Sequence, residues 1–453
     1  VTARDLARAV LGQVETEAAY ASRALAAALD RATGLAPEDR ALATELVYGV
    51  LRRRARLDRA LAPLARTGLG GLAAPVRIAL RVAAYQILFL DRVPAYAAVD
   101  DAVEACKRAG GRGVAGLANA ILRRLARVGE PPLPDGAADP AGYLTEAAGF
   151  PPWLAALLLA ELPVAEALAF AASVAAPAPV TLRANLPRAT RDVLAARLAA
   201  ERPGAALAPS PVAPDALEAR QLDAPAATAA WREGLFAIQD AGAQVVAELC
   251  GAAAGERILD ACAGGGGKTA HLLALAGDRA RVDAVDVAAD KLDEAARAMR
   301  RLGLSGATFV QADLTAALPD PTPRYHRVLL DAPCSGLGVL RRHPEALLRR
   351  TPQDLTALAA TQRRLLSAVA PLLLPGGLLT YAVCTFERAE CEEVVGDFLA
   401  AHPRFRIEPP SGAGGRVPWD RLADATGAVR TWPHRDGADA FYAVRLRVAS
   451  QGG

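Results

Sequence analysis

Two different hydrophobic periods run through this chain, and no single core can satisfy both. Between residues 3 and 128, apolar residues recur at three- and four-residue spacing in "ARDLARAVLGQVE", "ALATELVYGVLRRRARLDRAL", "APVRIALRVAAYQILFL", "AYAAVDDAVEACKRAG" and "GVAGLANAILRRLARV". Breakers such as Gly70-Gly71 and Gly110-Gly111 separate these runs, which predicts an all-α bundle over 1–128. Residues 129–142, "GEPPLPDGAADPAG", are rich in proline and glycine without periodicity and read as a linker. Over 143–235, helical segments flank the extended "PVTLRANL", which suggests a small α+β domain. From 236 to 453, short apolar runs ("RILDA", "VDAVDV", "ATFVQAD", "RVLLDAP", "LLTYAVC", "DAFYAVRLRV") alternate with helices. That alternation predicts an α/β, doubly wound, Rossmann-like domain with ligands at the carboxyl ends of its strands. Several domains also suit 453 residues.

No segment has the length and freedom from charge needed to span a bilayer; Ala155 to Ala160 comes nearest and is interrupted. The opening "VTARDLARAV" carries charges of both signs and no apolar signal core, so secretion is not expected. Six cysteines spread over the chain form no CxxC pair and no disulfide framework, which fits reduced thiols, a cytoplasmic setting and no bound metal. The net charge of +3 says little about partners, but arginine concentrates in "LRRRARLDR" (51–59), "ILRRLAR" (121–127) and "LRRHPEALLRR" (340–350). Phosphate contact and a plain solvated helix face compete evenly for these. Lysine occurs only at 107, 268 and 291, which makes Lys268, inside a glycine loop, conspicuous.

That loop, "DACAGGGGKTAHL" (260–272), follows a strand and opens a helix, the usual setting for an anion or nucleotide. A phosphate-binding loop requires glycine five residues before Gly267, where Cys262 stands, so that reading fails. Two others survive. Gly265, Gly267 and Ala270 satisfy a loose dinucleotide fingerprint, with Asp286 as the ribose acid, and S-adenosylmethionine uses the same strand, turn and acid.

Later strand ends separate them. "VLLDAPCSG" sets Asp331 and Cys334 just past one strand, and "LLTYAVCT" sets Cys384 at the end of another, so both thiols are expected in the crevice. Hydride transfer has no general use for two cysteines. Methylation of a pyrimidine at C5 needs a thiolate, because C5 is a poor nucleophile until a thiolate has added at C6. Cys106, Cys250 and Cys262 read as small structural hydrophobes, and Cys391 as non-catalytic among carboxylates that raise its pKa.

Six blocks, "FAIQDAGAQVVAELC", "ILDACAGGGGKTAHL", "DAVDVAADKL", "LLDAPCSGLGVLRRHPE", "LLTYAVCT" and "WPHRDGADAFYAVRL", resemble in order those of the NOL1/NOP2/Sun group of RNA cytosine-C5 methyltransferases. The stretches "LRVAAYQILFLDRVPAYAAVDDAVEACKR" and "GLANAILRRLAR" resemble the NusB-type helical RNA-binding domain of the branch that acts on bacterial 16S ribosomal RNA. The resemblance implies a class I methyltransferase domain using S-adenosylmethionine, with Cys384 as nucleophile and Cys334 as the cysteine that resolves the covalent adduct. It implies Asp331 at the cytosine edge and beside the cofactor. The methionine pocket falls on Cys262, Ala263, Gly264, Gly265, Gly266, Gly267 and Lys268, the ribose diol on Asp286 and the adenine amino group on Asp313. Lys268 as a neighbour of the thiolate would lower its pKa from about 8.5 toward neutrality. Three positions depart from the family pattern: Gly265 for proline, Val383 for threonine and Cys391 for asparagine. Arg341, Arg342 and His343 match a family turn, as phosphate contacts or as a capped structural turn.

The expected substrate is a single-stranded or loop region of 16S rRNA, since the base must leave any stack to meet a thiolate, and the chain is expected to act as a monomer. A tRNA cytosine-C5 methyltransferase and a non-catalytic RNA-binding assembly factor are the alternatives.

Overall fold

The computed structural model describes residues 1–65, 68–222, 224–316, 324–413 and 416–450. They form two compact units, Val1–Pro177 with Leu340–Arg350, and Ala178–Val339 with Thr351–Gly453. No helix among the described residues is long and apolar enough to cross a membrane.

The first unit is helical. Thr2 caps the helix Ala3–Thr16 by accepting from Asp5 N (3.1 Å), and Leu6, Val10, Leu11 and Val14 form its buried face. The helix Ala74–Phe89 is covered almost all round, so even Arg81 is buried; it ion-pairs with Glu15 and Asp58, at 2.7 Å each. Such a charge stays buried only because it is paired. Gly111, at φ +79°, breaks the long helix Ala95–Val128 where the Gly110-Gly111 breaker lies. The arginines of 51–59 are largely committed within the unit. Arg53 and Arg56 lie over the Phe89 ring, Arg56 pairs with Glu130, and Arg59 pairs with Glu146 at 3.0 Å. Arg123, Arg124 and Arg127 are exposed.

Leu340–Arg350 packs into this unit through a short turn at Pro344–Leu348. Buried Glu345 accepts from Ala21 N (3.1 Å), and the Arg349 guanidinium donates to the Val14 and Ala19 carbonyls. Arg341 is buried as well, so the structural reading of this turn gains weight over a phosphate contact at that residue.

In the second unit, a four-stranded antiparallel sheet comprises β1 (Val180–Ala184), β2 (Ala206–Pro209), β3 (Ala216–Arg220) and β4 (Phe236–Ile238), ordered β2-β3-β1-β4. Leu182, Leu194, Leu198, Leu217 and Phe236 make its core, each worth about 1.5–3 kcal/mol on burial. β4 lies just past residue 235 yet pairs with β1, so the small sheet reaches beyond the stretch expected for it. Three residues are too short for a period to reveal which sheet they join.

The large sheet holds β5 (Arg257–Asp260), β6 (Arg281–Asp286), β7 (Ala307–Gln311), β8 (Tyr325–Asp331), β9 (Leu373–Val383), β10 (Phe405–Glu408) and β12 (Phe441–Val448), with β11 (Val429–Thr431) on β12. Its order is β10-β12-β9-β8-β5-β6-β7, parallel from β9 through β7 and antiparallel at β12 and β10. Val328, Leu329 and Leu330 on β8 are fully buried, as expected of a strand covered on both faces. The order reverses between β5 and β8, which opens a crevice at their carboxyl ends.

Candidate functional site

β5 ends on Asp260, whose buried carboxyl is pushed up to about 6, by burial first and by Asp331 and Asp286 in addition; Thr269 Oγ1 donates to it at 2.7 Å. The glycine turn then leads into the helix Gly267–Leu275. Gly266 has φ +76°, and a Cβ there would come within 2.6 Å of Ala295 Cβ, so both conformation and space demand glycine. Gly264 N donates to Asp286 Oδ2 and Ala288 N to Asp286 Oδ1, each at 2.9 Å. These two bonds fix the Asp286 carboxylate and leave lone pairs for a ligand hydroxyl.

β8 and β9, paired in parallel, deliver the other half. Asp331 closes β8, Cys334 follows in the turn, and Cys384 follows β9. The two sulfurs lie 3.3 Å apart. Lys268 Nζ sits 2.5 Å from Asp331 Oδ2 and 5.3 Å from the Phe441 ring centroid. Burial works against the ammonium, but the charges of Asp331, then Cys384 and Asp260, outweigh it and raise the Lys268 pKa. The direct partner of Lys268 is Asp331, and the charge of Cys384 acts on it as well. The Cys334 thiol is held well above its ordinary value by its hydrogen bond with Cys384, by burial, and by Cys384, Glu390 and Asp331 as neighbouring charges.

A cavity of about 600 Å³ opens over these strand ends, lined by Cys262, Gly264, Asp286, Asp313, Asp331, Cys334 and Cys384. A smaller one of about 250 Å³ is lined by Cys262, Ala263, Gly264, Gly265, Gly267, Lys268 and Asp331. Gly266 lines neither; it packs on Ala295 and Met299. Asp313 is exposed, and its hydrogen bonds from Thr315 both fall on Oδ1. Thr361, Arg364 and Leu365 also line the larger cavity, from the helix Pro352–Val369. Sequence reasoning missed them, because nothing in a helical period says which turn will face a crevice.

Burial raises the pKa of each of the remaining cysteines. Cys106 and Cys250 are fully buried, with their thiols pushed up to about 11 chiefly by burial. Cys262 is half-buried at the cavity wall and is also raised, by burial and then by Asp260, Asp331 and Asp286. Cys391 caps the helix Glu392–Ala401 and is fully buried; burial, more than the expected carboxylates, raises it. Away from the crevice, Asp215, Glu248 and His271 gather within 4.8 Å. Arg416 ion-pairs with both carboxylates, so a cation is already supplied there by the chain itself.

Comparison with known proteins agrees with this architecture. A family model described as 16S rRNA methyltransferase RsmB/F matches residues 249–447, a NusB family model matches 1–127, and an RsmF/B-like ferredoxin-like domain model matches 150–225. A probable ribosomal RNA small subunit methyltransferase B of Synechocystis sp. is 33% identical, over 99% of this chain and all of its own length. The ribosomal RNA small subunit methyltransferase B of Pseudomonas putida is 36% identical, over 92% of each chain. Among solved structures, PH0851 shares the fold with a TM-score of 0.80 at 23% identity, over 97% of each chain. With a NusB-type helical domain, a ferredoxin-like domain and a class I methyltransferase domain in order, the chain belongs to the RsmB/F family of ribosomal RNA small-subunit methyltransferases.

Proposed function

We propose that this chain transfers a methyl group from S-adenosylmethionine to C5 of a cytosine in 16S rRNA through a covalent adduct between Cys384 and C6 of the base. The observation that carries the reading is the pair of thiols 3.3 Å apart on the wall of a cavity that also presents Asp286, Asp313 and Asp331. The cavity has the volume of a site for a ligand of this size, and the fixed Asp286 carboxylate suits a ribose diol. Bound S-adenosylmethionine supplies an electrophilic methyl group on a sulfonium.

The chain does the rest. The Cys384 thiolate adds to C6, the new S–C bond moving the C5=C6 electron pair toward N3, which takes up a proton through its hydrogen bond with Asp331 and gives it back after methyl transfer. C5, now nucleophilic, takes the methyl group. A water takes the C5 proton, and the electron pair left behind expels the Cys384 sulfur from C6, which restores the ring and returns the thiolate. Cys334, in contact with Cys384, serves this release. Lys268 balances the charge of Asp331 beside the thiols. Exposed Arg123, Arg124 and Arg127 in the helical domain offer flanking RNA a phosphate-binding face, which positions rather than specifies.

The test is transfer of labelled methyl groups to unmethylated 16S rRNA, with denaturing gels for a protein–RNA adduct. Wild type gives 5-methylcytosine, Cys384→Ala gives neither product nor adduct, and Cys334→Ala accumulates adduct. Full activity in Cys384→Ala removes the nucleophile. Transfer to tRNA but not to 16S rRNA changes the substrate.

A further inference from the structure

Glu390 lies outside the cavity wall and was not singled out by any motif, yet its side chain is completely buried. A carboxylate in such a place is costly unless its oxygens are engaged. Its Oε2 accepts from Ser335 N and from Gln362 Nε2, each at 2.9 Å. Gln362 Nε2 also donates to the Pro333 carbonyl at 2.9 Å. Pro333 and Ser335 are the two neighbours of Cys334, so one carboxylate and one amide hold the peptide on both sides of that thiol. The same hub reaches the other cysteine. Tyr381, three residues before Cys384 on β9, donates its hydroxyl to the Glu390 carbonyl (2.6 Å), and Ser335 Oγ bonds Thr385 Oγ1 (2.9 Å), next to Cys384.

We propose that Glu390 is a positioning residue for the release step, its buried carboxylate clamping the Pro333–Ser335 turn so that the Cys334 sulfur stays against Cys384. This rests on the two-cysteine reading above. Cys384 directly follows a strand whose residues 378–382 are paired on both sides, and it keeps its place without the clamp; Cys334 stands on a turn, where the bonds to Ser335 N and Pro333 O replace a ladder. Loss of the clamp therefore acts on release and spares attack. Misplacement of a reacting group by about 1 Å costs roughly 100-fold.

The full-length chain is compared as wild type, Cys334→Ala, Glu390→Gln and Gln362→Leu, on unmethylated 16S rRNA with S-adenosylmethionine. Adduct formation in a single turnover is measured separately from steady-state turnover. Glu390→Gln keeps the shape but takes the charge from the oxygen that accepts both bonds, so adduct should form at the wild-type rate while turnover falls roughly tenfold or more and adduct accumulates. Gln362→Leu, which releases Pro333, should show the same split more weakly. Accumulation of adduct in Cys334→Ala with normal turnover in Glu390→Gln overturns the clamp. An equal loss of adduct formation and turnover in Glu390→Gln overturns it too, since that is the mark of a general structural role. Absence of adduct in Cys334→Ala removes the two-cysteine reading itself.

Discussion

Two adjacent glycines in the loop at residues 264–267 should respond to the same substitution with opposite signs. Gly266 sits at φ +76°, and an alanine there would place its Cβ 2.6 Å from Ala295 Cβ and 3.1 Å from Ala295 Cα. The left-handed backbone costs about 1–2 kcal/mol for a residue with a side chain. Forcing a methyl group against a packed helix adds about 1–3 kcal/mol. Gly266→Ala should therefore destabilise the methyltransferase domain by about 2–5 kcal/mol. Gly265 lacks the positive φ, and its added Cβ would meet only the far end of Glu294, at 3.6 Å, which is ordinary contact. Gly265→Ala should stabilise by about 0.4–1 kcal/mol, because it restricts the unfolded chain without straining the folded one. Urea unfolding followed by tryptophan fluorescence reads chiefly the right region, since three of the four tryptophans, Trp231, Trp419 and Trp432, lie in the second unit and only Trp153 in the first. Equal effects from the two substitutions, or a Gly266→Ala variant within about 0.5 kcal/mol of wild type, would refute the assignment of strain to one residue of the turn.

Asp331→Asn should cut methyl transfer at least about tenfold while leaving the domain folded, because it removes the charged partner of Lys268 and the carboxyl proposed to serve N3 of the base; single-turnover transfer checks it. Mild treatment with hydrogen peroxide should join Cys334 and Cys384, one thiol passing through a sulfenic acid that the other displaces as water, with activity lost until dithiothreitol is added. Peptide mapping that finds both residues as free thiols after inactivation would count against it. Burial pushes the Glu248 carboxyl up to about 7, against the pull of Arg416 and with the push of Asp215. A folded-state pKa above the unfolded one gives stability that is full below about 4.5 and lost as pH rises through about 7. The urea midpoint of the second unit should fall between pH 5 and 8, by an amount worth at most about 3 kcal/mol, and Glu248→Gln should flatten that slope.

What the sequence made legible was whatever lies on a strand end. Asp260, Asp286, Asp331 and Cys384 follow short apolar runs, and in a doubly wound sheet a run of that kind has only one place to end, so order along the chain becomes position around the crevice. What stayed hidden sits on elements whose rotation or partner is settled in three dimensions. β4 looked like the start of the large domain and instead completes the small sheet. The arginines of 51–59 read evenly as phosphate contacts or a solvated face, but their partners, Phe89, Glu130 and Glu146, are 30 or more residues away in sequence. Gln362 and Glu390 are hidden for the same reason, on a helix and a turn that meet beneath Cys334.

The contrast bears on how the two thiols come to differ. Both follow strand ends, both are half-buried, and they touch, so neither address nor exposure tells nucleophile from resolving group. Their supports do. Cys384 extends a strand held by ladders to β8 on one side and β12 on the other, a position rigid by topology alone. Cys334 occupies a turn held by two buried side chains, and its thiol is raised first by its hydrogen bond with Cys384, then by burial and neighbouring negative charges. A thiol so placed resists ionisation beside its partner. Alkylation of the pair with iodoacetamide across pH should therefore label Cys384 first, and replacement of Glu390 by glutamine, which removes one of the charges facing Cys334, should narrow the difference. Preferential labelling of Cys334 in the wild-type chain would reverse the roles assigned to the two sulfurs.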